Sequence, residues 1–345
     1  MQIYKYVIKI SKFADMKKIT TIFILLLTVF SSCETELDIN AEWEEIMVVY
    51  GLLDQSQEKQ YIRINKAFLG EESAYLMASV ADSLNFNPNN IEVKLDKVSN
   101  FGVVLDTKIL TDTIMYKEDG TFASENNIIY TFDTDNFLNQ EKEYVLTITN
   151  LTTGDVVSGS TKLIYELELM AFFDNPAYKM GFYSHTGDFS NTTVEWSPSK
   201  NAGIYQMKMI LNYTEYGPID TVVKQIEKTY PIINYDGSGE VKQSIKGESF
   251  FNFIAYNIEK DNSVNRRINN IDLLFSAGGN NLNTYMNLNE PPTGIVQERP
   301  IYTNITDGYG LFSCRYNKIQ ENILITTTTK EAIANHLDSL NFIYP

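Results

Sequence analysis

Residues 17–33 constrain everything that follows them. Lys17 and Lys18 precede Ile19–Phe30, a mostly apolar run of twelve residues, and the run ends in Ser31, Ser32 and Cys33. A basic start, a short apolar run and a pair of small residues, in that order, are the parts of a secretory signal. The run is too short to cross about 30 Å of hydrocarbon as a helix. The competing reading, a buried amino-terminal helix with an incidental cysteine, leaves the order of the three parts unexplained. Residues 1–15 add Lys5, Lys9 and Lys12. They read either as an extended basic region or as sequence ahead of a functional start at Met16, and residues 1–32 are the expected signal peptide. The chain behind that signal therefore has to fold outside the cytoplasm, and it has only two cysteines to do it with.

Cys33, placed directly after Ser31 and Ser32, makes the segment resemble a bacterial lipoprotein signal, with Phe30 standing where such signals usually carry Leu. The resemblance implies that Cys33 is the lipid-attachment residue and the first residue of the mature chain. It implies about three acyl chains, and since each buried methylene contributes about 0.8 kcal/mol, several chains hold durably where one binds marginally. Residues 33–45 then form a lipidated acidic tether. Glu34, Glu36 and Asp38 loosely resemble the export tag of Bacteroidota-type surface lipoproteins, with a plain solvated linker as the alternative. Acylation of Cys33 leaves Cys314 without an intrachain partner. The alternating apolar run "GYGLFSCRY" makes Cys314 a small core residue rather than a reactive thiol.

Removing residues 1–32, which hold five lysines and one aspartate, leaves 23 basic and 43 acidic residues, a net charge of −20. Such a surface repels nucleic acid and anionic lipid headgroups, so neither is an expected partner; the membrane is reached through the lipid anchor alone. The 22 Tyr and 19 Phe, with abundant Asn, suit a β-rich extracytoplasmic chain with polar turns.

Alternation predicts strands at Ile46–Leu53 and Tyr61–Phe68, paired as a hairpin, and at Ile91–Val98. Further strands are expected at Val103–Leu110, Thr113–Tyr116, Ile128–Phe132, Glu143–Thr149 and Val156–Leu163, with turns at Asp119-Gly120 and Gly154-Asp155. A short helix is expected within Glu71–Asn85. Strands at this spacing read as a β-sandwich. The closing pair "EYVLTITN" and "VVSGSTKL" resembles the end of an immunoglobulin-like or transthyretin-like domain.

The expected fold is thus mainly β: an immunoglobulin-like β-sandwich over residues 46–165, a junction near Leu163–Glu166, and a second sandwich over 166–345. The second half opens with a strand at Leu167–Phe172. In Thr192–Tyr216, Trp196, Pro198, Tyr205 and the alternating Met207, Met209 and Leu211 resemble strands B and C of a fibronectin type III domain. That resemblance implies a core around Trp196, against the alternative of a ligand-stacking platform. Ile219–Tyr230 continues a hairpin, and Asp236–Gly239 is a flexible turn. Helical insertions are expected at Ser249–Glu259 and Lys330–Leu340, strands at Ile268–Phe275, Ile301–Ile305 and Gly310–Tyr316, and an Asn-rich loop with room for one helical turn at Gly278–Pro292.

The arrangement of "VVYGLLDQSQEKQYIRINKAFLG" after the lipoprotein cysteine, with the late "GYGLFSCRY", resembles an uncharacterised family of Bacteroidota-type lipoproteins. Members are often encoded beside TonB-dependent transporters of the outer membrane. The resemblance implies an outer-membrane location, facing the periplasm or the cell surface, and a β-barrel transporter as partner.

Chemistry is thin. His185 and His336 are the only histidines and have no metal-ligand spacing; His185 reads as a surface or turn residue and His336 as solvated or capping. Serine-nucleophile, Walker and dinucleotide motifs do not occur. The acidic turn Asp133–Asn136 lacks the glycine and distal glutamate of a calcium loop. Tyr213, Tyr216 and Tyr230 read as strand residues before they read as a glycan or peptide site. No catalytic residue, cofactor or metal is expected. Three classes remain: an anchored binding protein serving a transporter with a peptide or glycan ligand, an adhesion or scaffold lipoprotein, and a hydrolase without a sequence signature. The first is the expectation, with its contact surface in the loops of the second half, Gly278–Pro292 among them. The anchor itself is directly testable: labelled fatty acid should enter the wild-type protein and be lost in Cys33→Ala, and equal labelling of both would remove Cys33 from that role.

Overall fold

The computed structural model describes residues 46–67, 78–120, 122–175, 177–289 and 301–344. The signal, Cys33 and the acidic tether lie outside the described residues, as do Phe68, residues 71–77 of the helix expected within Glu71–Asn85, and residues 290–300. Among the described residues no helix is long and apolar enough to cross a membrane.

The first half follows its alternation closely. Strands β1 (Ile46–Leu53), β2 (Lys59–Ala67), β3 (Ile91–Val98), β4 (Val104–Ile109), β5 (Thr111–Ile114), β6 (Ile128–Asp133), β7 (Glu143–Asn150) and β8 (Val156–Lys162) form where expected, within two residues at their ends. Ile62 and Ile64 of β2 are buried while Tyr61 is exposed, the period-2 pattern of a strand with one dry face. Only Leu110 separates β4 from β5, and β4 pairs with β3 while β5 pairs with β6. The chain thus turns a corner from one sheet into the other. Phe137, between β6 and β7, meets Phe132 of β6 and Tyr144 of β7 edge to face at 5.8 Å each and joins the two layers.

The second half adds β9 (Lys179–Met180), β10 (Thr192–Trp196), β11 (Ala202–Tyr216), β12 (Thr221–Thr229), β13 (Ile233–Asn234), β14 (Val241–Ile245), β15 (Asn265–Gly279), β16 (Ile305–Thr306) and β17 (Tyr309–Ile325). Its helices are α1 (Gly247–Asn257), α2 (Asn280–Asn289) and α3 (Thr327–His336). The long strand β11 carries Tyr205, Met207, Met209, Leu211 and Tyr213 into the core on alternate positions. Trp196, fully buried, packs edge to face on Phe275 at 5.0 Å and on Tyr205 at 6.1 Å. Phe250 of α1 stacks on Phe182 at 3.9 Å.

The fold is mainly β, built of several antiparallel sheets in the manner of a β-sandwich. One ten-stranded sheet runs β12-β11-β15-β17-β1-β2-β6-β5, with β13 and β9 pairing beside it. A five-stranded sheet runs β16-β8-β7-β3-β4, and β10 pairs with β14.

Strand pairing crosses the junction expected at Leu163–Glu166. β1 from the first half lies parallel to the start of β17, with Val48 opposite Tyr309 and Leu53 opposite Cys314. From Arg315 onward β17 runs antiparallel to β15 instead. β16 adds to β8 in the same way. Glu45–Pro345 is accordingly one compact unit. The close approach of β17 to β1 requires Gly310, whose φ is +114° and whose missing Cβ would strike the Val49 carbonyl.

Four segments differ from the sequence expectation, the first being Ile301–Ile305, of which only Ile305 belongs to a strand, β16. Leu167–Phe172 is not a strand; Leu169 makes a single bridge to Trp196, and the 3-10 turn Ala171–Asp174 follows. The expected closing strand Gly310–Tyr316 extends to Ile325 because Asn317, Lys318, Ile319 and Gln320 pair with β15, where ladder bonds replace apolar alternation. The Asn-rich segment after Gly279 is a ten-residue helix, not a loop. Asparagine is a poor helix former, yet Asn283 donates to the Gly203 carbonyl at 3.2 Å and Tyr302 donates to Asn281 at 3.0 Å, so tertiary partners outweigh propensity.

Two buried charges fasten this arrangement. Asp54, 1% exposed at the end of β1, accepts from Ser56, from Arg315 Nε at 3.2 Å and from Asn317 Nδ2 at 2.8 Å. Arg266 on β15, 2% exposed, donates to Glu215 on β11 at 2.8 Å, to the Leu340 carbonyl at 2.7 Å and to the Glu259 carbonyl at 3.0 Å. It thereby holds the carboxy-terminal turn against the sheet. Burial alone would raise the Glu215 carboxyl, but hydrogen bonds and charge from Lys224 and Arg266 more than offset it and hold it below the ordinary value. A depressed carboxyl contributes stability that is full above its unfolded value of about 4.3 and is lost as pH falls through the folded one. Glu215→Gln should therefore cost about 3 kcal/mol at neutral pH by leaving Arg266 unpaired, and should flatten the loss of stability below about pH 4 in denaturant titrations. Identical acid slopes in the two proteins would remove Glu215 from that role.

Candidate ligand cleft

The β1–β2 hairpin turns one face into the core and the other toward solvent. Register places Val48 opposite Asn65 and Tyr50 opposite Arg63, so these four side chains share the outer face. Leu84 and Asn85 from the one-turn helix Ala81–Leu84, together with Lys117, Phe122, Ala123 and Asn127, stand around that face and enclose a cleft of about 410 Å³. Its walls are largely apolar, and its size is in the range used for small ligands. A neighbouring cavity of about 420 Å³ shares Lys66 and Asn85 with it.

The charges in this cleft are of one sign. Arg63, Lys66 and Lys117 line it, and no Asp or Glu does among the described residues. Arg63 donates to the Asn127 carboxamide oxygen, and Asn127 donates in turn to the Met115 carbonyl at 3.1 Å. Lys117 donates to the carbonyls of Phe122 and Ala123 at 3.3 and 3.0 Å. Both cations are thus positioned by neutral oxygens that leave their charge uncompensated. Asn65 donates to the Leu84 carbonyl at 3.0 Å and to Asn85 at 3.2 Å, which ties the one-turn helix to the cleft floor.

Tyr50 closes one side. Its ring meets Tyr285 of α2 edge to face at 6.2 Å, and the two hydroxyls lie 3.5 Å apart. Burial, and then the hydrogen bond to Tyr285, push the Tyr50 phenol up to about 12, so it stays protonated and available as a donor. Positive charge beside an apolar wall suits a ligand with an anionic group and an apolar body.

Most residues singled out from the sequence lie elsewhere. Trp196 is in the core, Tyr213 is a buried residue of β11, Tyr230 is buried just after β12, and Tyr216 is 39% exposed. His185 and His336 both lie near α3. His185 Nδ1 is 3.2 Å from Thr328 Oγ1, and His336 Nε2 is 3.0 Å from the Tyr183 hydroxyl, which itself donates to the Gly187 carbonyl. The Asp133–Asn136 segment is a turn, with positive φ at Asp135 and Asn136. No group of three His, Cys, Asp or Glu that could hold a metal occurs among the described residues. Among the described residues, the expected contact segment Gly278–Pro292 meets the cleft through Tyr285, against Tyr50. The cleft itself lies in the first half, away from the second-half loops expected to hold the contact surface. Its one signal was the hairpin of Ile46–Leu53 with Tyr61–Phe68.

No family model matches the chain, and no curated protein matches it.

Cys314 is 1% exposed and its thiol donates to the Lys162 carbonyl at 3.0 Å. Burial pushes the thiol up to about 11. At pH 8 only about one molecule in a thousand carries the thiolate that reacts. Cys314 should therefore resist iodoacetamide in the native protein and alkylate readily in denaturant, as read by intact mass; fast native labelling would contradict its burial.

Proposed function

We propose that this chain is a lipid-anchored, non-enzymatic binding protein of the outer membrane, an accessory to a β-barrel transporter, with the cleft over β1 and β2 as its ligand site. The transporter and the membrane enter through the lipoprotein resemblance; the residues support the binding role. The observation that carries it is a largely apolar cleft with Arg63 and Lys117 uncompensated in a chain whose mature charge is −20. An acidic peptide fits this chemistry better than a neutral glycan, because the cleft offers cations and apolar walls but no carboxylate acceptor for sugar hydroxyls. A non-enzymatic role accords with a buried Cys314 thiol and with histidines that meet threonine and tyrosine hydroxyls. An adhesion or scaffold role is the alternative, and one surface favours it: β4 is an edge strand that exposes Val104, Leu105 and Ile109.

Labelled acidic peptides should bind with an affinity that falls with salt, and Arg63→Ala with Lys117→Ala should weaken it about tenfold or more. Crosslinking in intact cells, followed by purification through a tag after Pro345, should recover a large β-barrel protein. Unchanged peptide affinity in the double variant would remove the cleft from the role, and recovery of no barrel, with unchanged nutrient uptake in a deletion strain, would favour the scaffold reading.

A further inference from the structure

Strand β4 is the outermost strand of the five-stranded sheet. On one side it pairs with β3, from Lys94 opposite Ile109 to Lys97 opposite Asp106, and among the described residues no strand pairs with its other side. The N–H of Leu110, just past β4, donates to the Val93 carbonyl at 2.9 Å, which sets the phase of the ladder. Backbone groups alternate in direction along an antiparallel strand. Those of Asp106 and Lys108 therefore also face β3, and those of Thr107 and Ile109 face the open edge. Leu105 and Ile109 are each more than half exposed. Such an edge pairs with a further strand unless something prevents it.

Two features turn most strands away. The ladder to β3 skips Leu105, and this bulge confines the regular edge to residues 106–110. The edge-facing Thr107 N–H already donates to the Asp106 carboxylate at 2.9 Å. A strand that adds here has to draw that carboxylate away, and so has to carry a cation opposite Asp106. A second β4 does so. In an antiparallel pair with its two-fold axis at Thr107, Asp106 of each copy stands opposite Lys108 of the other, and Leu105 stands opposite Ile109. Asp106 and Lys108 share one face of the strand, because both alternate with Thr107. Moving the axis by one residue sets Asp106 or Lys108 against its own copy, and like charges directly opposite repel. The partners these two charges have within the chain are distant: Lys97 is 3.8 Å from Asp106 and Asp135 is 3.9 Å from Lys108. The mature charge of −20 opposes self-association at long range, but salt at physiological strength screens it beyond about 8 Å.

We propose that β4 is the docking edge for a second copy of this chain, the two five-stranded sheets joining antiparallel about Thr107. Asp106 guards the edge in the single chain and becomes a contact in the pair. The surface is separate from the cleft over β1 and β2 and does not depend on the role given to that cleft. An interface made of one strand from each copy is small, so the association is weak, with a dissociation constant of about 10–100 μM.

The test is sedimentation velocity on the purified full chain across that concentration range, with charge exchange at the edge. The wild-type protein should dimerise, and Asp106→Lys or Lys108→Asp alone should weaken the dimer about tenfold or more. The two substitutions together restore opposite charges across the axis and should return the affinity to within about threefold of wild type. Thr107→Cys, placed on the axis, should form a disulfide-linked dimer under mild oxidation, whereas Thr152→Cys, in the exposed turn between β7 and β8, should not. A chain that stays monomeric at about 1 mM, a dimer indifferent to both single reversals, a double variant as weak as the singles, or equal crosslinking at both cysteines would each overturn the assignment.

Discussion

The fold depends on a change of partner at one point of one strand. β17 lies against β1 as far as Cys314 and against β15 from Arg315 onward. The buried carboxylate of Asp54 sits at that point, reaching Arg315 and Asn317 across 261 and 263 positions of sequence. A buried carboxylate is costly unless its oxygens are filled, and here Ser56 fills one while Arg315 and Asn317 fill the other. Closing so long a loop adds little over a shorter one, since the entropic cost grows only with the logarithm of length. The result is a sheet that both halves of the chain share.

The far end of the same sheet is held by the same logic. Arg266 gathers Glu215, the Glu259 carbonyl and the Leu340 carbonyl around one guanidinium, whose planar fork suits several acceptors at once. Between these two anchors the core is aromatic and aliphatic and contains no disulfide; Cys314 is a free, buried thiol. Polar satisfaction at strand and helix ends falls largely to asparagine, as in the contacts of Asn201, Asn283 and Asn304.

Surface chemistry is segregated. A chain of strongly negative charge gathers Arg63, Lys66 and Lys117 around one apolar cleft, and a low-dielectric wall strengthens the field such a group projects. Tyr285 of α2 meets Tyr50 at the cleft, so a helix of the second half borders a site built on the first. Strands β1 and β2 position Tyr50, Arg63 and Lys66, whereas Lys117, Phe122, Ala123 and Asn127 come from the segment between β5 and β6.

The strands of the first half, the long hairpin β11–β12, the helix α1 and the burial of Trp196 and Cys314 were legible in the sequence, because period-2 and period-3.6 patterns are local properties of the chain. The parallel pairing of β1 with β17 was not, since no local pattern encodes a partner some 260 positions away. Nor was the polar half of β17, or the Asn-rich helix α2, whose order comes from neighbours rather than propensity. Of the cleft, the sequence showed only the hairpin of Ile46–Leu53 with Tyr61–Phe68 that forms its floor. That Lys117, Phe122 and Leu84 stand beside it was decided by tertiary structure, because a concave site is a relation between segments, and only folding brings those segments to one place.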